Sequence, residues 1–540
     1  RVKARVGLTK NVSRDEQFKS PKHPDFLETE KLKQGSFSAS TTEAFSYNGD
    51  LNIAFGKLFV EKHQVNVVGG WSFSENKSKR DGYSVVGFND DLHMNPAFST
   101  GFKDGQKPNY SLERSRATSF FMNVNYSFMN RYLMDFNMRS DGTSKFGANK
   151  RFSTTWSVGL AWNLHNEEFM KSLGLFSNFK IRASVGNPGN QNFDAYQAMK
   201  IYKYNVELQN MFGSSAIIDQ FGNKDLDWQR TLDKNIGVDI SMWRNRIRVT
   251  LDYYYKDTDP LLISVPMPPS VGVGSINANA GRQLSWGWNG SIFGTVIQKK
   301  NLSWSLNANF RTSKSEYRDI GDKLNEFNEL GSAQNLVRYY EGASPDDMWA
   351  VPSLGIDPAT GAEMFRKKDG SQTFIYSTAD EVVVGCSRPD VEGVIGSSFY
   401  YKGFSASVNF RYRLGGEVMA SALYSKVENL SKEQIYYNQD KRALYDRWQK
   451  PGDKAKFKSI KDNSATPMSS RFVRTENTFS GESIYIGYEY SGAWIKKIGA
   501  EGVTFRAYMN DIFRLSTVKE ERGLDYPFQR AVSASLSIRF

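Results

Sequence analysis

Apolar and polar residues alternate with period two along most of this chain. In the final ten residues Val532, Ala534, Leu536, Ile538 and Phe540 fall on one face, and Ser533, Ser535, Ser537 and Arg539 on the other, because successive side chains of a strand point to opposite sides. Phe120, Met122, Val124, Tyr126 and Phe128 alternate in the same way with Phe121, Asn123, Asn125 and Ser127. After Met129-Asn130-Arg131 the pattern resumes, with Tyr132, Met134, Phe136 and Met138 opposite Leu133, Asp135, Asn137 and Arg139. Trp156 to Asn163, Phe179 to Val185, Ile236 to Met242, Ile247 to Tyr255, Trp286 to Val296, Leu302 to Phe310, Phe404 to Tyr412 and Val503 to Met509 behave alike. Roughly sixteen segments read this way, near the ~10 residues that a tilted membrane strand needs.

The connections alternate too. Tight turns (129–131, 243–246, 298–301) take turns with long polar ones, expected at Ser74 to Ser115, Ser140 to Phe152, Gly186 to Asp233 and Gly415 to Glu476. Long loops on one rim and short turns on the other predict an all-β fold, a large antiparallel transmembrane β-barrel. An Arg at a lipid-facing midplane position costs about 2–4 kcal/mol, so the mid-strand charges should face the lumen. Arg139, Arg182, Arg248, Asp252, Arg311, Arg411 and Arg506 all fall on polar faces, and a wide barrel with a charged lumen is a conduit.

Composition sharpens this picture. Hydrophobic residues make up 39% and the mean hydropathy is −0.54, with no apolar run of the ~18 residues a membrane helix requires. The aromatic share of 14% suits interfacial girdles. A single cysteine, Cys386, excludes an intrachain disulfide, and His23, His63, His93 and His165 are too scattered for a metal cluster. The net charge of +12 comes with no basic helix or stacked-aromatic motif, so nucleic acid is not an expected partner. Basic runs such as Lys77-Ser78-Lys79-Arg80, Arg366-Lys367-Lys368 and Lys454 to Lys461 read as solvated loops, facing anionic lipid headgroups at most. Alternation already runs through Val2, Ala4, Val6 and Leu8, so the chain is expected to begin inside a sheet, as a processed or partial polypeptide.

Specific stretches carry a family likeness. Arg139-Ser140-Asp141-Gly142-Thr143-Ser144-Lys145-Phe146-Gly147, then Arg151-Phe152 and Trp156 to Trp162, resembles a motif of SusC/RagA-type TonB-dependent transporters. Matches continue in order through Glu167-Glu168-Phe169, Phe179 to Gly186, Gly189-Asn190-Gln191, Leu226-Asp227-Trp228, Asn235 to Asp239, Asp252 to Lys256, Pro260-Leu261-Leu262, Gly355 to Gly361, Tyr401 to Phe404, Asp446-Arg447-Trp448 and Phe505 to Phe513. Asn277 to Gly281 and Glu482 to Tyr485 depart from the family pattern. The resemblance implies an outer-membrane barrel of about 22 strands with a plugged lumen, of which residues 1–540 form the C-terminal part, with the plug domain and first strands outside this chain. It also implies import of glycans or peptides, energised by TonB, beneath a SusD-like lipoprotein, in contact with outer-membrane lipid and lipopolysaccharide. A terminal Phe540, with Leu536 and Ile538, resembles the signal read by the barrel-assembly machinery. A passive porin or structural barrel, and a soluble glycan-binding protein, are the competing readings.

Chemical constellations are sparse. Ser157 and His165 are no more than chance neighbours in a Ser-rich chain, and Asp90-Asp91, Asp346-Asp347 and Glu520-Glu521 are adjacent rather than converging. Neither catalysis nor a cofactor is expected. Asp357 in Gly355-Ile356-Asp357-Pro358-Ala359-Thr360-Gly361 could ligate calcium, but an Asp-Pro turn with a Gly exit explains it more simply. Gly272-Val273-Gly274 lacks the strand-to-helix setting of a phosphate loop. Tyr339, Tyr340 and Trp349 could stack on sugars or peptide side chains, or pack the loops. The polar-face charges could line the route, though holding a plug suits most of them better.

Overall fold

The computed structural model describes all residues except 104–105, 146–148, 191–198, 212, 224–226, 228, 268, 280, 325–327, 329–334, 432–433, 437, 498 and 520–527. Phe146, Gly147, Gln191, Leu226, Trp228, Ala280 and the Glu520-Glu521 pair lie outside the described residues. Sixteen long strands dominate: β1 Val2–Lys19, β2 Ser36–Phe59, β3 His63–Val86, β4 Asn109–Phe128, β5 Tyr132–Thr143, β6 Phe152–Asn163, β7 Phe176–Asn187 and β8 Gln229–Met242; then β9 Ile247–Thr258, β10 Arg282–Lys299, β11 Leu302–Arg311, β12 Val391–Tyr401, β13 Phe404–Leu414, β14 Thr478–Tyr490, β15 Gly502–Ser516 and β16 Val532–Arg539. Each pairs antiparallel with the next in chain order. All belong to one 19-stranded sheet. No described helix is long and apolar enough to cross a membrane.

Register carries the period-two pattern from strand to strand. Phe505 faces Leu536 on one side and Tyr488 on the other, and Tyr488 faces Phe404, so one surface of the sheet is apolar. Arg506, between Ser535 and Gly487, belongs to the opposite surface. Phe120, Leu160, Ile236, Ile292 and Leu536 stay exposed on the apolar surface, as side chains that meet lipid would. Stacked aromatics edge it near the tight turns, with Phe128, Tyr132 and Trp162 forming a row at centroid spacings of 6.4 and 6.1 Å. The turns at Val60-Glu61 and Met129-Asn130 have positive φ at both residues, the backbone that matches the twist of a hairpin.

The strands differ from expectation at their far ends. β2 and β3 stay in register, without interruption, from Phe59↔His63 to Ser36↔Val86, and β3 and β4 pair out to Gly82↔Asn109. The expected loop from Ser74 to Ser115 therefore shrinks to residues 87–108, and Lys77 to Arg80 lie on a strand. Loss of apolar alternation marks where a strand leaves lipid. The hydrogen-bond ladder needs no apolar side chains and continues into water.

The described residues of 312–390 and 415–477, at the long-loop rim, fold against each other into a cap. Ser353 N–H donates to the Ser470 hydroxyl at 2.9 Å, and Trp448 Nε1 donates to the Pro358 carbonyl at 2.9 Å. Val427, Ala443, Phe457 and Phe472 form its core. Leu261, Tyr317, Ile320 and Leu324 form a second, separate cluster.

Candidate functional site

The polar surface of the sheet is concave. One cavity of about 1000 Å³ touches strands from β4 to β11, lined among others by Asn123, Asp135, Arg139, Lys256, Asn289 and Arg311. A single space bounded by eight successive strands requires the sheet to curl around it. Its wall mixes amides, hydroxyls and both signs of charge, a surface that hydrogen-bonds polar solutes or a protein insert equally well.

All seven sequence-predicted charges lie on this wall by register, and most are held by neighbours. Arg182 donates Nε to Asp239 Oδ2 at 3.0 Å and Nη2 to Asp252 Oδ2 at 2.8 Å, bridging β7, β8 and β9. Gly237 makes room for it, since a Cβ there would sit 2.8 Å from Arg182 Cζ. Arg139 Nε donates to Asp141 at 2.7 Å and its Nη2 to the Ser119 hydroxyl at 2.9 Å. Arg248 lies 4.3 Å over the Phe293 ring. Arg411 meets Glu482 at 2.9 Å. Arg139 and Arg311 reach the large cavity, whereas Arg182, Arg248, Arg411 and Arg506 are not among its lining residues.

The cavity also reaches residues that sequence reasoning missed. Arg388, from the cap, enters its lining, with Nε donating to Asp346 Oδ2 and Nη1 to the Ser313 hydroxyl, both at 2.6 Å. Lys256 pairs with Asp233 at 3.3 Å on the same wall. Lys256 ends a stretch already singled out for its family likeness. Arg388 stands in an irregular segment, where no periodicity could point to it.

Of the loop aromatics, Tyr339 is a packing residue. Its ring lies 5.6 Å from Tyr317 and its backbone exchanges hydrogen bonds with the Asn328 side chain. Tyr340 and Trp349 form a tilted pair at 4.6 Å, Tyr340 remaining partly exposed. The buried Trp349 indole N–H has no partner among the described residues.

Buried ions organise the cap. Arg338 and Glu381, 1% and 2% exposed, form a two-pronged pair with both N–O distances 2.6 Å, and the Tyr376 hydroxyl adds a bond to Glu381. Arg471 bridges Glu363 at 2.9 Å and Glu428 at 2.6 Å, joining the two cap segments. Arg447 donates to the carbonyls of Val427, Glu428 and Lys458, and burial lowers the pKa of its guanidinium. At the surface, Arg442 holds the Asp440 carboxyl down to about 2. Asp357 accepts from the N–H groups of Ala359 and Thr360 and from the Thr360 hydroxyl, which makes it a turn former. Gly361 closes that turn at φ +74°, with Trp448 packed where a Cβ would stand.

Comparison with known proteins places this architecture. A 24% identical relative, TonB-dependent receptor P39 of Formosa agariphila, aligns with 100% of this chain and 58% of its own length. TonB-dependent receptor SusC of Bacteroides thetaiotaomicron is 26% identical over 78% of this chain and 42% of its own. This chain thus spans about half the length of the curated relatives it matches. Among solved structures, the RagAB peptide transporter superposes with a TM-score of 0.84 at 21% identity, over 99% of this chain and 60% of that one, a likeness of fold. The family model "TonB dependent receptor-like, beta-barrel" matches residues 10–362. With its sixteen consecutive antiparallel strands, apolar outside and polar inside, the chain belongs to the TonB-dependent receptor-like β-barrel family of the bacterial outer membrane.

Proposed function

We propose that this chain forms the C-terminal part of the barrel of a SusC-type active importer, which takes up oligosaccharides or peptides across the outer membrane. The observation that carries the reading is the polar inner wall, continuous over successive strands and topped by a hydrogen-bonded cap, in a member of this family. The plug domain, the remaining strands and the segment that contacts TonB belong upstream of Arg1, a reading supported by relatives nearly twice as long. A SusD-like lipoprotein lids the cap. The paired charges Arg139, Arg182, Asp252 and Arg411 hold the plug, and Arg311 with Arg388 borders the route. Tyr340 and Trp349 offer cargo an aromatic face. The family is one of transporters rather than enzymes, and no catalytic role is assigned to any residue of this chain.

Uptake of labelled oligosaccharides and peptides by cells carrying the full-length protein tests this. Uptake that needs both the lipoprotein and energised TonB is expected. Uptake indifferent to both, together with constitutive ion conductance in planar bilayers, would establish a passive pore instead.

A further inference from the structure

The sheet forks at the upper end of β11. As far as Arg311 that strand is paired on both sides, with Asn289 of β10 and Glu392 of β12. The chain then steps aside at Thr312 and Ser313, and Lys314–Arg318 resumes pairing with β10. Among the described residues no ladder joins Lys314–Arg318 to β12 or β13. A cavity of about 670 Å³ occupies the gap, with Lys314 and Glu316 on one side and Asp390, Gly415 and Glu417 on the other. Farther along, the backbone of Tyr317 bonds to Gly342 and Ala343 and closes the gap again.

The lining of this cavity comes from both faces of the sheet. Trp286 and Trp288 share the apolar outer face of β10 with Ile292, and Lys314 stands directly opposite Trp286. Gly287 and Ser315 belong to the polar inner face. A cavity touched by both faces at a break in the ladder runs through the wall. At its inner end it meets the lumen cavity, since Ser313 and Arg388 line both. Those two residues are tied across the junction. Arg388 donates Nη1 to the Ser313 hydroxyl and Nε to Asp346 Oδ2, both at 2.6 Å. The Ser315 hydroxyl donates to the same carboxylate oxygen at 3.1 Å, and the Tyr254 hydroxyl of β9 donates to Ser313 at 2.8 Å. One long side chain thus bars the passage, and it can swing aside by rotamer changes without moving the strands.

The passage has a sign of charge. Asp347, Asp390 and Glu417 line it with no ion pair among the described residues, and Ser344 and Cys386 give Asp347 and Glu417 only backbone N–H groups. Glu316 is paired with Arg318, and Arg388 with Asp346. Lys314 is then the one unpaired cation in the lining, against three carboxylates.

We propose that this gap is a side port, which admits water and small cations from outside the cell to the lumen beneath the cap, with Arg388 as its gate. A solute that leaves a walled lumen must be replaced by an equal volume of water, and a port in the wall supplies it while the mouth is covered. The proposal rests on the fork in the sheet and not on the import reading, because entry is measured without any cargo.

The test uses intact cells carrying the full-length protein, with impermeant cationic (trimethylammonium) and anionic (sulfonate) methanethiosulfonates as probes and cysteines elsewhere removed. Cys386 lines the port and is its native reporter, and Asn289→Cys with Cys386→Ser reports arrival on the lumen wall. The cationic probe is expected to label both positions about tenfold faster than the anionic one. Arg388→Ala, which removes the bar, should speed labelling at Asn289→Cys about tenfold. Thr475→Trp, which fills the port from its lining, should slow it by a similar factor. Labelling at Asn289→Cys that ignores Thr475→Trp would overturn the proposal, by showing that the probe enters through the mouth. Unchanged labelling in Arg388→Ala would remove the gate, and an anionic probe as fast as the cationic one would remove the preference for cations.

Discussion

Arg338 and Glu381 show what single residues do in the cap. A buried ion pair contributes little net stability, but removing one partner leaves a charge stranded, at about 3–5 kcal/mol. Arg338→Ala should therefore unfold the cap locally, raising hydrogen exchange through residues 335–338 and 378–386, while the double change Arg338→Met with Glu381→Leu should restore protection. Equal exchange in the two variants would contradict this account. Asp440 gives a second test at this scale. Arg442 lowers its carboxyl from the usual value near 3.8 to about 2, so their contact is fully formed above the unfolded value and lost as pH falls through about 2. A carboxyl-carbon titration of Asp440 should have its midpoint near 2; a midpoint near 4 would mean the contact is absent. Neither pair was legible in the sequence. Arg338 and Glu381, 43 positions apart, lie in irregular segments, where partners tens of residues apart leave no spacing to read. Asp440 and Arg442, only two positions apart, belong to no periodic pattern that would mark them as a pair.

At the scale of the element, alternation told the two faces of each strand apart because lipid and water are such different solvents. Ile292 and Ser291, neighbours on β10, lie on opposite faces. Ile292→Arg should lower refolding stability in lipid vesicles by about 2–4 kcal/mol, and Ser291→Arg by far less. Similar losses for the two would remove the assignment of the faces. The same signal located Arg139, Arg182, Arg248, Asp252, Arg311, Arg411 and Arg506 on the polar wall. It failed at strand ends, placing Lys77 to Arg80 in a loop, because water on both sides of β3 erases the contrast while its ladder with β2 continues. It also could not separate Tyr339, which packs on Tyr317, from the partly exposed Tyr340. Aromatics in loops have no period to reveal their neighbours.

For the whole molecule, order of assembly matters as much as final geometry. Leu536 and Ile538 point outward from β16, opposite Phe505 and Val503, and Phe540 follows them, largely exposed. If the resemblance of Leu536, Ile538 and Phe540 to an assembly signal is functional, deleting Phe540 should lower the amount of barrel inserted in the outer membrane while leaving uptake per inserted molecule unchanged; normal insertion would remove that role. The cap extends this to time. Its contacts join Glu363 to Ser469 and Arg471, separated by 106 and 108 positions, with the β12–β13 hairpin lying between them. Closing so long a loop is entropically costly until that hairpin has brought its ends together. The cap should therefore complete only after its flanking strands are paired, which makes it the last part of this region to take shape.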